Sequence, residues 1–192
     1  MKTLEDYLKQ NPKTHLIFDL DETIVKLLLP WDEWFEDVLG KIKEKYPDFS
    51  ETEYVQIHNK LVEQRGEEGR ELIRLLNEKF ETEKIMGIEE NKELIEFIKS
   101  NPNYEYYLWS SNSGATVRKF LKEVGIDHVF KKIVTRSESD FLKPNTSGFK
   151  LLAEPGVSID QYLFIGDSSR DSLAAKELGI DFFLIDYFKG SF

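Results

Sequence analysis

The chain contains no cysteine. That absence excludes disulfides, thiolate metal sites and cysteine nucleophiles, and it fits a reducing compartment; the cytoplasm is the expected location. Histidine is scarce as well. His15, His58 and His128 share no metal-ligand spacing, and none is placed to serve a nucleophilic serine. No apolar run approaches bilayer-spanning length. Residues 1–11 mix charges without an apolar core, so no signal peptide is expected there. Positive charge is in deficit too: 26 Lys and Arg face 36 Asp and Glu, for a formal net charge of -10. A surface of that sign disfavours nucleic acid and anionic membranes as nonspecific partners. Internal repeats, low-complexity tracts and flexible linkers are missing.

What is present is a globular pattern. Hydrophobic residues make up 40% and aromatics 13% of 192 residues, enough for one core with a modest insertion. Leu4, Tyr7 and Leu8 have helical spacing, and Asn11-Pro12 ends that opening helix. Short apolar runs at 15–18, 104–109, 132–135, 162–165 and 182–185 read as strands. Helical stretches at 91–99, 115–124, 146–153 and 170–178 alternate with them, and Gly125 and Gly179 fall where C-terminal caps want glycine. Alternating strands and helices predict a mainly parallel sheet covered on both faces, a Rossmann-like three-layer α/β/α core.

Residues 27–87 break this rhythm and contain no strand candidate. Pro30 suits a first helical turn, and Trp31, Trp34, Phe35, Val38, Leu39 and Ile42 recur at helical spacing. Ser50 with Glu53 reads as a capping box opening a second helix to about Val62. Gly66 interrupts, and Leu72, Ile73, Leu75, Leu76 and Phe80 mark a third. The predicted organisation is therefore a discontinuous core, 1–26 and 88–192, with an all-helical insertion at 27–87.

Four short segments carry chemistry: Asp19-Leu20-Asp21-Glu22-Thr23, Ser111-Asn112, Lys143-Pro144, and Gly166-Asp167 followed by Asp171. All lie at or just after the carboxyl ends of predicted strands, where open parallel sheets form their ligand crevice. Carboxylates crowded in that way repel unless a cation sits among them. The lysine and hydroxyl point to an anionic ligand, so metal plus phosphate is the economical reading. Asp19 and Asp21, two apart at a strand end, can share one pocket and divide phosphate transfer between nucleophile and acid/base.

These segments, in this order, resemble the four motifs of the haloacid dehalogenase superfamily. The resemblance covers residues 13–23 and roughly 91–185, through Ile17 to Thr23, Leu108-Trp109-Ser110-Ser111-Asn112, Lys143-Pro144, and Phe164 to Asp171. It implies a phosphatase whose helical insertion is a cap over the active site, selecting a small-molecule phosphorylated substrate. Asp19 would attack phosphorus and form an aspartyl-phosphate; Asp21 would protonate the leaving oxygen and then activate water. Magnesium would be held by the Asp19 carboxylate, the Asp21 backbone carbonyl and Asp167, an all-oxygen set suited to a hard cation, with Asp171 supporting from a second layer. Ser111 and the backbone at Asn112 would bind phosphoryl oxygens, and Lys143 would neutralise charge on nucleophile and phosphate.

Glu22 stands where many members of the superfamily carry glycine. Ser111 rather than Ser110 is the expected phosphate ligand because Asn112 follows it directly; Ser110 is expected to satisfy backbone. Lys26, Trp31, Trp34, Arg65, Arg70 and Arg74 are candidate contributors from the insertion and its approach. Three rivals follow from the same residues. A phosphomutase would share all four motifs. A dehalogenase would not need Asp21, and a phospho-aspartate signalling module would lack both Asp21 and the insertion.

Overall fold

The structure, a computed structural model, describes residues 3–189. Residues 1–2 and 190–192, which complete the expected core ranges, lie outside the described residues. Among the described residues seven strands form: β1 (His15–Phe18), β2 (Val25–Leu27), β3 (Ile88–Glu90), β4 (Glu105–Trp109), β5 (Phe130–Val134), β6 (Tyr162–Gly166) and β7 (Asp181–Leu184). Five make one wholly parallel sheet in the order β5-β4-β1-β6-β7; β2 and β3 pair antiparallel beside it. The helices are α1 (Leu4–Gln10), α2 (Trp31–Trp34), α3 (Gly40–Lys45), α4 (Tyr54–Lys84), α5 (Lys92–Ser100), α6 (Gly114–Glu123), α7 (Ser147–Leu152) and α8 (Ser169–Leu178). None is long and apolar enough to cross a membrane.

The period of two in a strand explains the three layers. Leu16 and Phe18 of β1 join one core with Leu94 and Ile98 of α5 and Val117 and Phe120 of α6. Ile17, pointing the other way, joins Phe149 and Leu152 of α7 and Ala174 and Ala175 of α8. The central strands are buried almost throughout, as strands covered on both faces must be. Helix starts are set by side chains: Asn91 accepts from the Leu94 amide and Ser113 from the Thr116 amide. Gly179, at φ 71°, ends α8 in the left-handed conformation that glycine adopts without a Cβ clash.

Strand order reverses at β1. The chain runs outward through β4 to β5, then crosses to β6 and β7 on the other side. The register sets Phe18 opposite both Leu108 and Ile165. The residues just past these three strands therefore emerge together at the switch point, where this architecture binds ligands.

The insertion is helical as predicted, with two corrections. Leu27 belongs to a strand: β2 and β3 form a ribbon, extended by the Leu28 amide donating to Gly87 and the Met86 amide to Leu28. Three residues per strand is too short for a period-two signal, and the partners lie far apart in sequence. The Ser50–Glu53 capping box does not form. Helix α4 begins at Tyr54, so Glu53 is itself the cap residue, in extended conformation and with no side-chain cap bond. A capping box needs its glutamate three residues inside the helix. The first inserted helix runs through α2, a π-helical stretch (Phe35–Leu39) and α3. Gly66, at φ 57° and ψ -137°, breaks α4 where the sequence interrupts.

Gly148 in α7 tests the packing beneath the site. A Cβ there would come within 2.4 Å of Nε1 and 2.8 Å of Cε2 of Trp109, whose ring stacks on Phe164 at 5.4 Å. Alanine ordinarily improves a helix position held by glycine; here overpacking outweighs that gain. Gly148→Ala should destabilise by about 1–3 kcal/mol, a fall in Tm of roughly 2–10 °C by calorimetry. An unchanged Tm would mean that Trp109 has room to move.

Candidate active site

Asp19 follows β1 directly, and its amide donates to the Ile165 carbonyl, fixing the turn against β6. Its Oδ1 lies 2.8 Å from Lys143 Nζ, which also reaches Asp171 Oδ1 at 2.6 Å and donates to the Trp109 carbonyl at 2.9 Å. All four side chains are buried. Burial pushes Asp19 up to about 7, with Lys143 opposing and Asp171 and Asp167 adding to the rise. Burial alone would pull Lys143 down, but Asp171 and Asp19 outweigh it and hold the ammonium above its ordinary range.

Asp167 leaves the end of β6, buried beside Thr23, whose hydroxyl lies 3.4 Å from Oδ1. Burial, with Asp171 and Glu22 next, raises its carboxyl. Asp171 is held from below: its Oδ2 accepts from the amide of Ser168 at 3.1 Å and its hydroxyl at 2.6 Å in the capping box of α8. A Cβ on Gly166 would come within 2.7 Å of that same oxygen, so the close approach requires glycine.

Asp21 is half-buried and accepts from the Leu27 amide at 2.8 Å, which ties the first motif to β2. Burial pushes its carboxyl up to about 8, opposed by that hydrogen bond and reinforced by Asp19, Glu22 and Asp167. Glu22 sits at φ 57°. This left-handed turn explains why glycine suits the position in relatives of the motif; a side chain there carries a strain of about 1–2 kcal/mol.

Ser111 and Asn112 extend from β4 into the same cavity. Ser110 uses its hydroxyl locally, donating to Asn112 Oδ1 at 2.9 Å and accepting from the Asn112 amide at 3.2 Å. The cavity, about 500 Å³, is lined by Asp19, Asp21, Ser111, Asn112, Lys143, Asp167 and Asp171, so all seven site residues expected from sequence meet in one place. Of the candidate contributors, Lys26 and Trp31 line it and four do not. Trp34 is buried, donating to Asn77 Oδ1 at 2.6 Å. Arg65 pairs with Asp48, Arg70 with Asp140, and Arg74 with Glu71 and Glu78.

Sequence reasoning missed the residues that join insertion to core. Buried Arg136, just past β5, pairs with buried Glu81 of α4 and donates to the Tyr54 hydroxyl at 2.9 Å. Glu81 also accepts from the Ser113 amide and the Thr116 hydroxyl. Asn59 makes a two-way clasp on Leu142, beside Lys143, at 3.0 and 2.8 Å. Burial and Arg136 push His58 down to about 4, so its neutral ring donates to the Asp140 carbonyl. No local pattern marks such long-range partners. Arg170 was also missed, although it stands next to Asp171 in the fourth motif; it lines the cavity without an ion pair among the described residues.

Oxygen atoms of Asp19, Asp167 and Asp171 lie within 4.8 Å of one another. The Lys143 ammonium contacts two of these three carboxylates, Asp19 and Asp171, and the donor set is all oxygen, so the site fits a hard divalent cation. A family profile described as haloacid dehalogenase-like hydrolase matches residues 16–185. The chain belongs to that family. Solved structures agree on the fold. A predicted HAD-like family hydrolase of Porphyromonas gingivalis superposes with TM-score 0.57 at 19% identity, covering 93% of each chain. A predicted phosphoglycolate phosphatase of Haemophilus somnus gives 0.54 at 20%, over 88% of this chain and 84% of that one. YfnB of Bacillus subtilis, solved bound to magnesium, gives 0.53 at 19%, over 91% and 87%. No curated protein matches the chain.

The raised carboxyls predict a pH-dependent response to magnesium. Folded Asp19 and Asp21 keep protons to about 7 and 8, whereas the unfolded chain releases them near 3.8. The unfolded state binds fewer protons across that window, so metal-free stability falls as pH rises from about 4 to 8. A cation favours the ionised forms. Magnesium at a hundredfold excess over its Kd should add about 2.7 kcal/mol, roughly 5–10 °C in Tm, at pH 8 and much less at pH 5. Thermal melts in chelator and in magnesium at both pH values check this; equal shifts would separate the metal from these acids.

Proposed function

We propose that the protein hydrolyses small-molecule phosphate monoesters with magnesium through an aspartyl-phosphate, its core at residues 1–26 and 88–192 and its cap at 27–87. The observation that carries this reading is the unequal pair at the end of β1. Asp19 is held by the Lys143 ammonium at 2.8 Å, while Asp21 accepts from the Leu27 amide at 2.8 Å; burial raises both carboxyls, to about 7 and about 8. Two acids with different environments divide into nucleophile and proton carrier.

An Asp19 oxygen attacks phosphorus as the bond to the leaving oxygen breaks. Asp21 gives its proton to that oxygen and becomes a carboxylate. It then takes a proton from the attacking water, the bond between phosphorus and Asp19 breaks, and inorganic phosphate departs. Lys143 favours the ionised form of Asp19 and orients it. Ser111 and the Asn112 backbone bind phosphoryl oxygens. Magnesium, held by Asp19, the Asp21 carbonyl and Asp167, would offset charge on phosphate and nucleophile. Asp171 supports this set through Lys143, since its other oxygen is occupied by Ser168. A phosphomutase would use the same motifs; membership of a hydrolase family favours water as the acceptor.

Replacing each aspartate separates the roles. Asp19→Ala should release neither alcohol nor phosphate above background. Asp21→Asn loses the proton carrier, a cost of about 10²–10⁴-fold in rate with alkyl phosphates. With an aryl phosphate, whose alcohol leaves without protonation, it should give a burst near one equivalent per enzyme and then stall as the phosphoenzyme. Stopped-flow absorbance and intact mass read both events. An Asp21→Asn variant that turns over alkyl phosphates like the parent would remove Asp21 from this role.

A further inference from the structure

The cavity is chemically two-sided. Its acids, its cations Lys26, Lys143 and Arg170, and the expected phosphate ligands come from residues 1–26 and 88–192. Residues 28–86 contribute Leu28, Leu29, Trp31, Phe35, Tyr54 and Met86. Those six carry two polar side-chain atoms between them, the Trp31 indole nitrogen and the Tyr54 hydroxyl, and the hydroxyl already accepts from Arg136. Their backbone offers little more: the amides of Leu28, Leu29, Trp31 and Met86 all donate within the chain. Three large apolar side chains nevertheless remain open, Trp31 at 38%, Phe35 at 44% and Met86 at 75% exposure. The rings are fixed in place. Tyr54 meets Trp31 edge-on at 5.5 Å and the buried Trp34 at 4.6 Å, and Phe35 meets Trp34 at 5.3 Å.

We infer that the substrate is a phosphate monoester of an aromatic alcohol, whose ring packs against Trp31, Phe35 and Tyr54. The inference rests on the phosphatase reading and adds to it the class of leaving group. Covering such a wall with a ring strengthens binding by roughly 10- to 150-fold. A sugar works against the same wall, because each hydroxyl that loses water without a partner weakens binding by roughly 5- to 150-fold. A leaving group as small as glycolate leaves the rings uncovered.

The test compares kcat/KM in magnesium for benzyl phosphate, ethyl phosphate, glucose 6-phosphate and 2-phosphoglycolate. All four leave as primary alkoxides, so differences between them report recognition. Benzyl phosphate should lead each of the others by about tenfold or more. Phe35→Ala should lower the benzyl-to-ethyl ratio by about fivefold, mainly through KM. A lead for glucose 6-phosphate or 2-phosphoglycolate, or a ratio unmoved in the variant, overturns the inference and leaves the phosphatase standing. Hydrolysis of none of the four defeats the phosphatase reading itself. Calorimetric binding of benzylphosphonate and ethylphosphonate to the magnesium-loaded protein then decides recognition separately: tenfold tighter benzylphosphonate supports the aromatic site, and equal affinities reject it.

Discussion

One buried ammonium, that of Lys143, holds two carboxylates and a backbone carbonyl at the meeting point of three strand ends. Removing either partner would leave uncompensated buried charge, at a penalty that single contacts elsewhere do not match. Much of the surrounding architecture serves to keep that lysine where it is. The Asn59 clasp and the His58 bond hold the loop before it, and Trp109, wedged between Gly148 and Phe164, presents the carbonyl. The capping box of α8 orients Asp171. Helix capping, ring packing and the electrostatics of the cavity are here one set of contacts.

The insertion is secured by charge as well as by apolar packing. Its buried residues, among them Trp34, Val38, Ile57 and Phe80, continue the core on one face of the sheet. Glu81 and Arg136 lie within that apolar setting, and every oxygen of Glu81 has a partner. A buried pair adds less stability than its short contact suggests, and here Arg136 Nε is left without a hydrogen-bond partner, but the pair admits one arrangement of helix against core. That arrangement sets Tyr54, bound to the same arginine, on the cavity wall.

Most of the core and the residues gathered in the cavity were legible in the sequence because their signals are local. Apolar runs such as Tyr162 to Ile165 can be little but buried strands, and acids that follow such runs must emerge at the carboxyl edge of a parallel sheet. Gly66 and Gly179 were readable for a similar reason, since left-handed backbone selects glycine. The unread parts depend on distance. Ile88-Glu89-Glu90 becomes a strand only through Val25 to Leu27, and the arginines of the insertion looked available until nearby carboxylates claimed three of them. Glu53 misled because its spacing from Ser50 fits a capping box while the helix starts at Tyr54, three residues beyond the start that such a box requires.

The sheet order also fixes the sequence of events in folding. β1 leads directly into Asp19 and is the first strand among the described residues, yet its neighbours are β4 and β6, so His15 must find Glu105 on one side and Tyr162 on the other. Closing such long loops precedes any gain from the contacts they bring. On a ribosome, β1 would emerge and wait while the helical insertion passes, unable to enter the sheet until most of the chain has been made. The acids cannot gather before β6 and the start of α8 arrive. Half-made chains therefore have no site at all, and the protein acquires its chemistry in a single late step.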